Sequence, residues 1–381
     1  MAFNSHADIT KPQDIFSKVT AMLVVTSDQA SSRTAAQRNR DELESLCSTL
    51  GIRCTAWDFF NIRSFNSATY IGSGQVQRLA WIAQENQCNL VVFNNSISPR
   101  IQRNLEEILG IAVVDRQEII LQIFADRATT REARLQVELA QLQYSLPRLK
   151  RKWADLSQQR GGVKGAKGSG EKQLELDRRQ AQTRIVRLKR EIAEIGKSRD
   201  VQRRNRTSGK IANVAIVGYT NSGKSTLLNR ISGSNVLSQD MLFATLDPTT
   251  RRVRLPNGNF ALFTDTVGFV SYLPHELVKA FKSTLDEAVL ADVLLIVLDA
   301  SREDFISCWD TTRDVLAQLG AFEKPRLVLL NKMDKVTEES LFAINTFSMS
   351  GEHCMKVSVT QDSSMENVLN EIAVMLEEIG L

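Results

Sequence analysis

The stretch "ANVAIVGYTNSGKSTLLNRISG" (Ala212–Gly233) decides how the C-terminal part of the chain is read. Val214–Val217 is an apolar, β-branched run of the kind buried in a parallel sheet. It leads into Gly-x-x-x-x-Gly-Lys-Ser at Gly218–Ser225, and Thr226–Ile231 then reads as a helix. A strand, a glycine loop and a helix N-terminus in that order make a cradle for phosphate. Backbone N–H groups from Tyr219, Thr220, Asn221, Ser222 and Gly223 through Thr226 are expected to face the anion. Lys224 is expected to reach the β- and γ-phosphates, and the Ser225 hydroxyl to bind Mg²⁺. A chance glycine turn before a helix is the bland alternative, and the strand–loop–helix context argues against it.

Shorter patterns follow in the order a GTPase requires. "FTDTVGF" (Phe263–Phe269) closes an apolar run. Asp265 there can hold Mg²⁺ through water, and the Gly268 amide can meet the γ-phosphate, with Thr266 and Val267 between them. "VLLNKMD" (Val328–Asp334) ends a strand with Asn331, Lys332, Met333 and Asp334. A carboxylate at Asp334 can accept both the guanine N1–H and the 2-amino group. Adenine offers no such donor pair, so the ligand reads as GTP/GDP rather than ATP. "KVSVT" (Lys356–Thr360) can set the Ser358, Val359 and Thr360 backbone near guanine O6. Each short pattern is weak alone; together, each at a strand end, they are specific.

Between the first two lies "LFATLDPTTRR" (Leu242–Arg252), whose Phe243, Ala244, Thr245, Leu246 and Asp247 are expected at the nucleotide. Thr245 is the leading candidate for contact with Mg²⁺ and γ-phosphate; Thr249 and Thr250 are rivals, and turn chemistry around Pro248 is the bland reading. Lys224, Thr245 and Gly268 form the expected catalytic set. Many GTPases carry a glutamine after Asp-x-x-Gly that orients the attacking water. Phe269 stands there and cannot hydrogen-bond water, which predicts slow intrinsic hydrolysis and help from a partner. Arg251 and Arg252 are candidates for a stabilising arginine, against the simpler reading of solvated charge.

Upstream, a first α/β domain is expected at 21–126. "AMLVVT" (Ala21–Thr26), "NLVVFN" (Asn89–Asn94) and "IAVVD" (Ile111–Asp115) read as strands. "SPRIQRNLEEILG" (Ser98–Gly110) reads as a helix with Ser98 as N-cap and Gly110 just past its end. Residues 1–20 read as disordered.

The segment between the two domains changes both period and charge. Leu135, Leu139, Leu142, Leu146, Leu149, Trp153 and Leu156 recur at heptad spacing, as do Leu174, Arg178, Ala181, Ile185, Leu188, Ile192 and Ile195. Two such stripes flanking "RGGVKGAKGSGEK" (Arg160–Lys172) read as an antiparallel helical hairpin over 127–199 with a glycine-rich tip at 160–172. Pro147 should interrupt the first helix, and 200–210 reads as a linker to a domain at 211–381. Residues 127–210 carry 23 Lys and Arg against 9 Asp and Glu; the rest carries 25 against 35. A basic arm on an otherwise acidic protein points to a polyanion, most simply nucleic acid, over a merely solvated helix surface.

The whole chain bounds these readings. Its 381 residues suit two or three domains at roughly 100–200 residues each. The longest strongly apolar run, Val293–Ala300, is far short of the ~20 residues of a membrane span. The start of the sequence has no basic segment followed by an apolar core, so no leader is expected. Five scattered cysteines without a CxxC pair and three isolated histidines argue against a disulfide framework or a zinc site. They fit a reducing, cytoplasmic compartment.

Taken together the residues resemble the HflX GTPases, of the Obg–HflX group of P-loop GTPases. The resemblance runs from Ala21 to Leu381. It rests on "GYTNSGKST", "FATLDPTTR", "DTVGF", "NKMD", "SPRIQRNLEEILGIAVVDRQEIILQIFADRATTREARLQVELAQLQYSLPRL" and "GSGEKQLELDRR". It implies an α/β protein: a small N-terminal α/β domain, the helical hairpin, and a Ras-like P-loop GTPase domain with a mostly parallel sheet. It implies a monomeric GTP hydrolase that binds the large ribosomal subunit and the 70S ribosome. The hairpin would push its tip toward the peptidyl transferase centre, with Arg160, Lys164, Lys167 and Lys172 on rRNA phosphate, and split stalled or idle 70S particles. Ser169 stands where the family usually has proline and Lys172 where threonine is usual, which makes a more flexible and more basic tip. Many members carry a further small C-terminal domain, and this sequence ends soon after its last helix. Three other functions compete: a large-subunit assembly factor, a nucleotide-latched RNA-binding module with little turnover, and an RNA-remodelling ATPase, which Asp334 argues against.

Overall fold

A computed structural model describes residues 16, 18–27, 33–62, 65–151, 167–207, 211–233, 242–243, 245–270, 282–361 and 365–381. Residues 1–15 of the expected disordered start and most of the expected tip, Arg160 and Lys164 included, lie outside the described residues; the end of that start is ordered, since Phe16 is buried and Thr20 opens the first strand. The chain divides into two compact units: Met1–Asp126 with Val137–Glu191, and Arg127–Gln136 with Ile192–Leu381. The helical segment expected at 127–199 is thus shared between them.

The first unit is a four-stranded sheet, β1 (Thr20–Ser27), β2 (Arg53–Asn61), β3 (Leu90–Phe93) and β4 (Ala112–Asp115), in the order β2-β1-β3-β4. All of its strand pairs are parallel. Parallel strands need crossovers, and helices α1 (Arg33–Thr49), α2 (Ser73–Glu85) and α3 (Pro99–Leu109) supply them. Residues 21–26 of β1 are buried throughout, as a strand covered on both faces requires. Met22, Val24, Phe60, Leu79, Val91, Phe93, Leu105 and Val113 form its core. The expected ends of α3 are present: Ser98 accepts a bond from the Ile101 amide, and Gly110 closes the helix at φ 68°.

Helix α4 (Arg116–Arg127) follows β4 directly, and α5 (Arg131–Ser145) follows it. At Leu146–Arg151 the chain tightens into a 3₁₀ turn, where Pro147 lacks the N–H that would continue the α-helix. Helix α6 (Lys167–Thr207) begins inside the expected tip and runs through most of the expected linker. Its last turns lack an apolar stripe, which made them read as a linker. They are nonetheless rich in arginine, a good helix former, and contain no proline. Within the first unit Arg184 of α6 grips Glu138 of α5 with two bonds, 2.7 and 2.8 Å. Leu188 is buried, Ala181, Ile185, Ile192 and Ile195 are half-buried, and Arg178 is exposed.

The second unit is a six-stranded sheet. It contains β5 (Ala212–Gly218), β6 (Thr249–Arg254), β7 (Phe260–Asp265), β8 (Val293–Asp299), β9 (Arg326–Asn331) and β10 (Cys354–Lys356). The order is β10-β9-β8-β5-β7-β6, parallel except for the edge strand β6 against β7. Helices α7 (Lys224–Ile231), α8 (Lys282–Leu290), α9 (Phe305–Gln318), α10 (Glu338–Ser348) and α11 (Met365–Glu378) complete it. The strand order reverses at β5, with β7 on one side and β8 on the other. In open α/β sheets that reversal is where ligands bind, beyond the C-terminal strand ends. The ends of β5, β7, β8 and β9 therefore gather Gly218, Asp265, Asp299 and Asn331 on one edge.

Candidate nucleotide site

The loop after β5 owes its shape to two glycines. A Cβ on Gly218, at φ 143°, would stand 2.2 Å from the Val297 carbonyl oxygen. One on Gly223, at φ 101°, would stand 2.4 Å from the Asn331 amide nitrogen. Gly218 thus lets β5 lie against β8, and Gly223 lets the loop close onto β9. Helix α7 starts at Lys224, whose ammonium is buried and donates to the Tyr219 carbonyl at 2.8 Å. Burial lowers the Lys224 pKa to about 8, with nearby Lys332 adding to the effect and Asp265 opposing it.

Asp265, at the end of β7, is the centre of the site. Its Oδ2 accepts from Ser225 Oγ at 2.7 Å and from Thr245 Oγ1 at 2.8 Å, and those two hydroxyls are 2.8 Å apart. Its Oδ1 is buried with no hydrogen-bond partner, as is Ser222 Oγ. Burial raises the Asp265 pKa, while Lys224 and the two hydroxyls pull it back. One carboxylate with an orphaned oxygen and two hydroxyls converging on one point is a donor set of hard oxygens, which fits Mg²⁺. Of the three threonines weighed, Thr245 has its hydroxyl on Asp265, whereas Thr250 bonds Thr264 within the β6–β7 pair.

The segment after β7 is tied to the phosphate loop by backbone. Phe269 N donates to the Gly218 carbonyl at 3.1 Å, and Thr220 N donates to the Phe269 carbonyl at 2.7 Å. A Cβ on Gly268 would meet Thr220 Cα at 2.6 Å and Lys224 Nζ at 2.9 Å. The Thr266 hydroxyl donates to the Ile216 carbonyl, and Val267 is buried. The Phe269 side chain is buried, so it offers a water neither a polar atom nor access. Phe243 is buried and donates its amide to Thr220 Oγ1; Leu246 is buried too, and Ala244 lies outside the described residues. Arg252 lies over the Phe260 ring at 3.9 Å.

The third cluster hooks onto the same loop. Asn331 donates to the Ser222 carbonyl at 2.8 Å and accepts from the Val359 amide at 3.1 Å. Lys332, at φ 63°, donates to the Asn221 carbonyl at 2.9 Å and pairs with Asp299 at 2.8 Å. Asp334 is exposed and takes a bond from the Ser358 hydroxyl, which holds its carboxyl below the usual range. Met333 opens a short 3₁₀ turn, and Thr360 is exposed beside Ser358. The structure thus brings the phosphate loop, Asp265, Thr245 and the Asn331–Asp334 and Ser358–Thr360 segments to one place. Lys167 and Lys172 of the expected tip are on the helical backbone of α6.

Sequence reading missed three partners. Asp299 orients Lys332, and its position at the end of an apolar strand was the available signal. Thr129 and Thr130 donate to Asp247 through both amides and both hydroxyls. Their only signal was the capping pattern Thr129-x-x-Glu132, which announces the start of α5 but not a partner 118 residues away.

Comparison with known proteins agrees with this geometry. Three family models match: "GTP-binding GTPase N-terminal" at residues 37–125, "GTP-binding GTPase Middle Region" at 127–206 and "50S ribosome-binding GTPase" at 213–332. The chain is 48% identical to the GTPase HflX of Treponema denticola over 91% of this chain and 90% of that one. It is 46% identical to the GTPase HflX of Akkermansia muciniphila, over 94% of this chain and 84% of that one. Among solved structures, a complex of the protein SsGBP with GDP superposes with a TM-score of 0.51 at 25% identity, covering 95% of this chain and 100% of that one.

Proposed function

The chain belongs to the HflX family of GTPases, and on that premise we propose that it works on the ribosome. It hydrolyses GTP. In this reading it binds the large subunit and separates stalled or idle 70S particles, with the 127–210 segment on rRNA. The observation that carries the ribosomal part is charge: 23 basic against 9 acidic residues in that one segment. Such a segment has its natural partner in a phosphate backbone. The matched description "50S ribosome-binding GTPase" supports the same partner.

Ser225, Thr245 and Asp265 would hold Mg²⁺, which when bound supplies positive charge to the β- and γ-phosphates. Lys224 brings a second positive charge from a buried position, where the dielectric is low and the attraction strong. The Asp334 carboxylate is exposed and free to exchange its Ser358 bond for guanine donors. With Phe269 buried, no side chain at that position orients water, so intrinsic turnover is slow and the ribosome accelerates it. The same burial favours a second reading, a nucleotide latch with little turnover.

The test is GTP hydrolysis by the purified protein alone and with large subunits, beside light scattering of 70S particles. Strong stimulation with loss of scattering is expected. A flat rate with tight GTP binding supports the latch. A preference for precursor particles over 70S supports an assembly role.

A further inference from the structure

Thr245 and Asp247 are two residues apart and are held at opposite ends. The Thr245 hydroxyl sits 2.8 Å from both Ser225 and Asp265, at the candidate cation point. The Asp247 carboxylate takes bonds from the amides of Thr129 and Thr130, at 3.0 and 3.1 Å, and from both of their hydroxyls. Thr130 also caps the helix, accepting from the Ala133 amide at 3.2 Å. Leu246, between the two held residues, is buried. All of these residues belong to the second unit, and Thr129 and Thr130 stand at the start of the basic segment, where they lead into its first helix, α5.

We infer that Asp247, gripped by Thr129 and Thr130, is a positioning residue that keeps Thr245 at the cation and γ-phosphate point. The inference rests on the functional reading above and specifies how its site is regulated. A carboxylate at the N-terminus of a helix is favoured by the helix dipole and by unbonded amides. Four donors on one side chain give a contact that is either made or lost. A chain of three residues cannot stretch to keep it once Thr245 departs by several ångströms. The triphosphate state, which recruits Thr245, therefore closes the contact, and the diphosphate state releases it. Coupling is reciprocal: whatever pulls the start of α5 away from Asp247 weakens the triphosphate complex by the same factor. The first helix of the basic segment thereby reports to the nucleotide.

The experiment measures affinities of the full-length chain for Mg·GDP and for a non-hydrolysable Mg·GTP analogue. Asp247→Asn should lose about 5–10-fold in triphosphate affinity with less than about twofold change for GDP, the lower range of allosteric couplings. Thr129→Val should act in the same direction by about threefold, and Thr129→Ser, which restores the hydroxyl, should recover the wild-type ratio. Thr129 is chosen because Thr130 also caps α5. In the wild type, amides of residues 129 and 130 should exchange hydrogen more slowly with the triphosphate analogue than with GDP. Equal losses for both nucleotides, an unchanged ratio in Asp247→Asn, or equal exchange in both states would overturn the inference. A wild type that binds neither nucleotide would instead overturn the functional reading beneath it.

Discussion

Asp115 and Asp265 each end a parallel strand and each is buried, yet the chain treats them in opposite ways. Asp115 is surrounded by its own unit. Its Oδ1 accepts from the Glu118 amide at 3.1 Å and the Tyr144 hydroxyl at 2.9 Å. Its Oδ2 accepts from the Ile97 amide at 3.1 Å and lies 3.4 Å from the Arg148 guanidinium. Arg148 in turn bonds Gln102 and the Ile97 and Tyr144 carbonyls and stacks on the Tyr144 ring. Asp265 keeps one oxygen without a partner beside a buried ammonium. Buried polar groups are costly when unpaired, so a complete network serves the fold and an incomplete one awaits a ligand. Residue type alone does not tell these two strand-end aspartates apart; their surroundings do.

The largest effect expected from this contrast is on the complete network. Asp115→Ala leaves the Ile97 amide and Arg148 without their carboxylate and should cost about 3–5 kcal/mol of first-unit stability. Guanine-nucleotide affinity should be untouched. Hydrogen exchange of the β4 amides, measured beside nucleotide binding, checks both halves. Retained protection would mean the network is not what holds β4.

The mirror-image experiment is Lys224→Ala. It should reduce Mg·GTP affinity at least about 100-fold, roughly 3 kcal/mol. The fold should lose little, since the lost bond to the Tyr219 carbonyl is offset by removal of a buried ammonium whose charged form burial disfavours. Calorimetric titration and thermal unfolding of the same variant read the two quantities. Unchanged affinity would undo the phosphate-loop assignment, and a large loss of stability would make Lys224 a structural residue like Asp115.

How far the sequence made this contrast legible depends on the range of the interactions. The phosphate loop, Asp265 and the Asn331–Asp334 segment were readable because strand, loop and helix follow one another locally. Ser98 and Gly110 were readable for the same reason, each bonding within its own helix end. The Asp115 network was not, because Tyr144 and Arg148 lie 29 and 33 residues away. "VVDRQ" read only as the end of a strand. Asp247 was placed at the nucleotide from its neighbours, but its partners Thr129 and Thr130 are set by packing. The course of α6 was misjudged from the opposite side: glycines and a missing apolar stripe suggested a tip and a linker, where the backbone is helical from Lys167 to Thr207.

The smallest effect sharpens the comparison through protons. Burial and the neighbouring Asp115 raise Glu118 from its ordinary 4.5 to about 7, against the pull of Arg148 and of the Tyr144 hydroxyl at 3.2 Å. A carboxyl with a raised folded pKa keeps its proton in the fold while the unfolded chain has already lost it. Stability contributed by that proton is complete below about pH 4.5, declines as pH rises, and is gone above about 7. Glu118→Gln imitates the protonated form at every pH. Its advantage over wild type should be near zero at pH 4.5 and reach about 1–3 kcal/mol at pH 8. Urea unfolding followed through β4 amide exchange at the two pH values reads that difference. An advantage equal at both would mean that folding leaves the Glu118 pKa at its unfolded value. At pH 8 the first unit would then hold a half-buried, ionised Glu118 beside the buried Asp115, both facing Arg148.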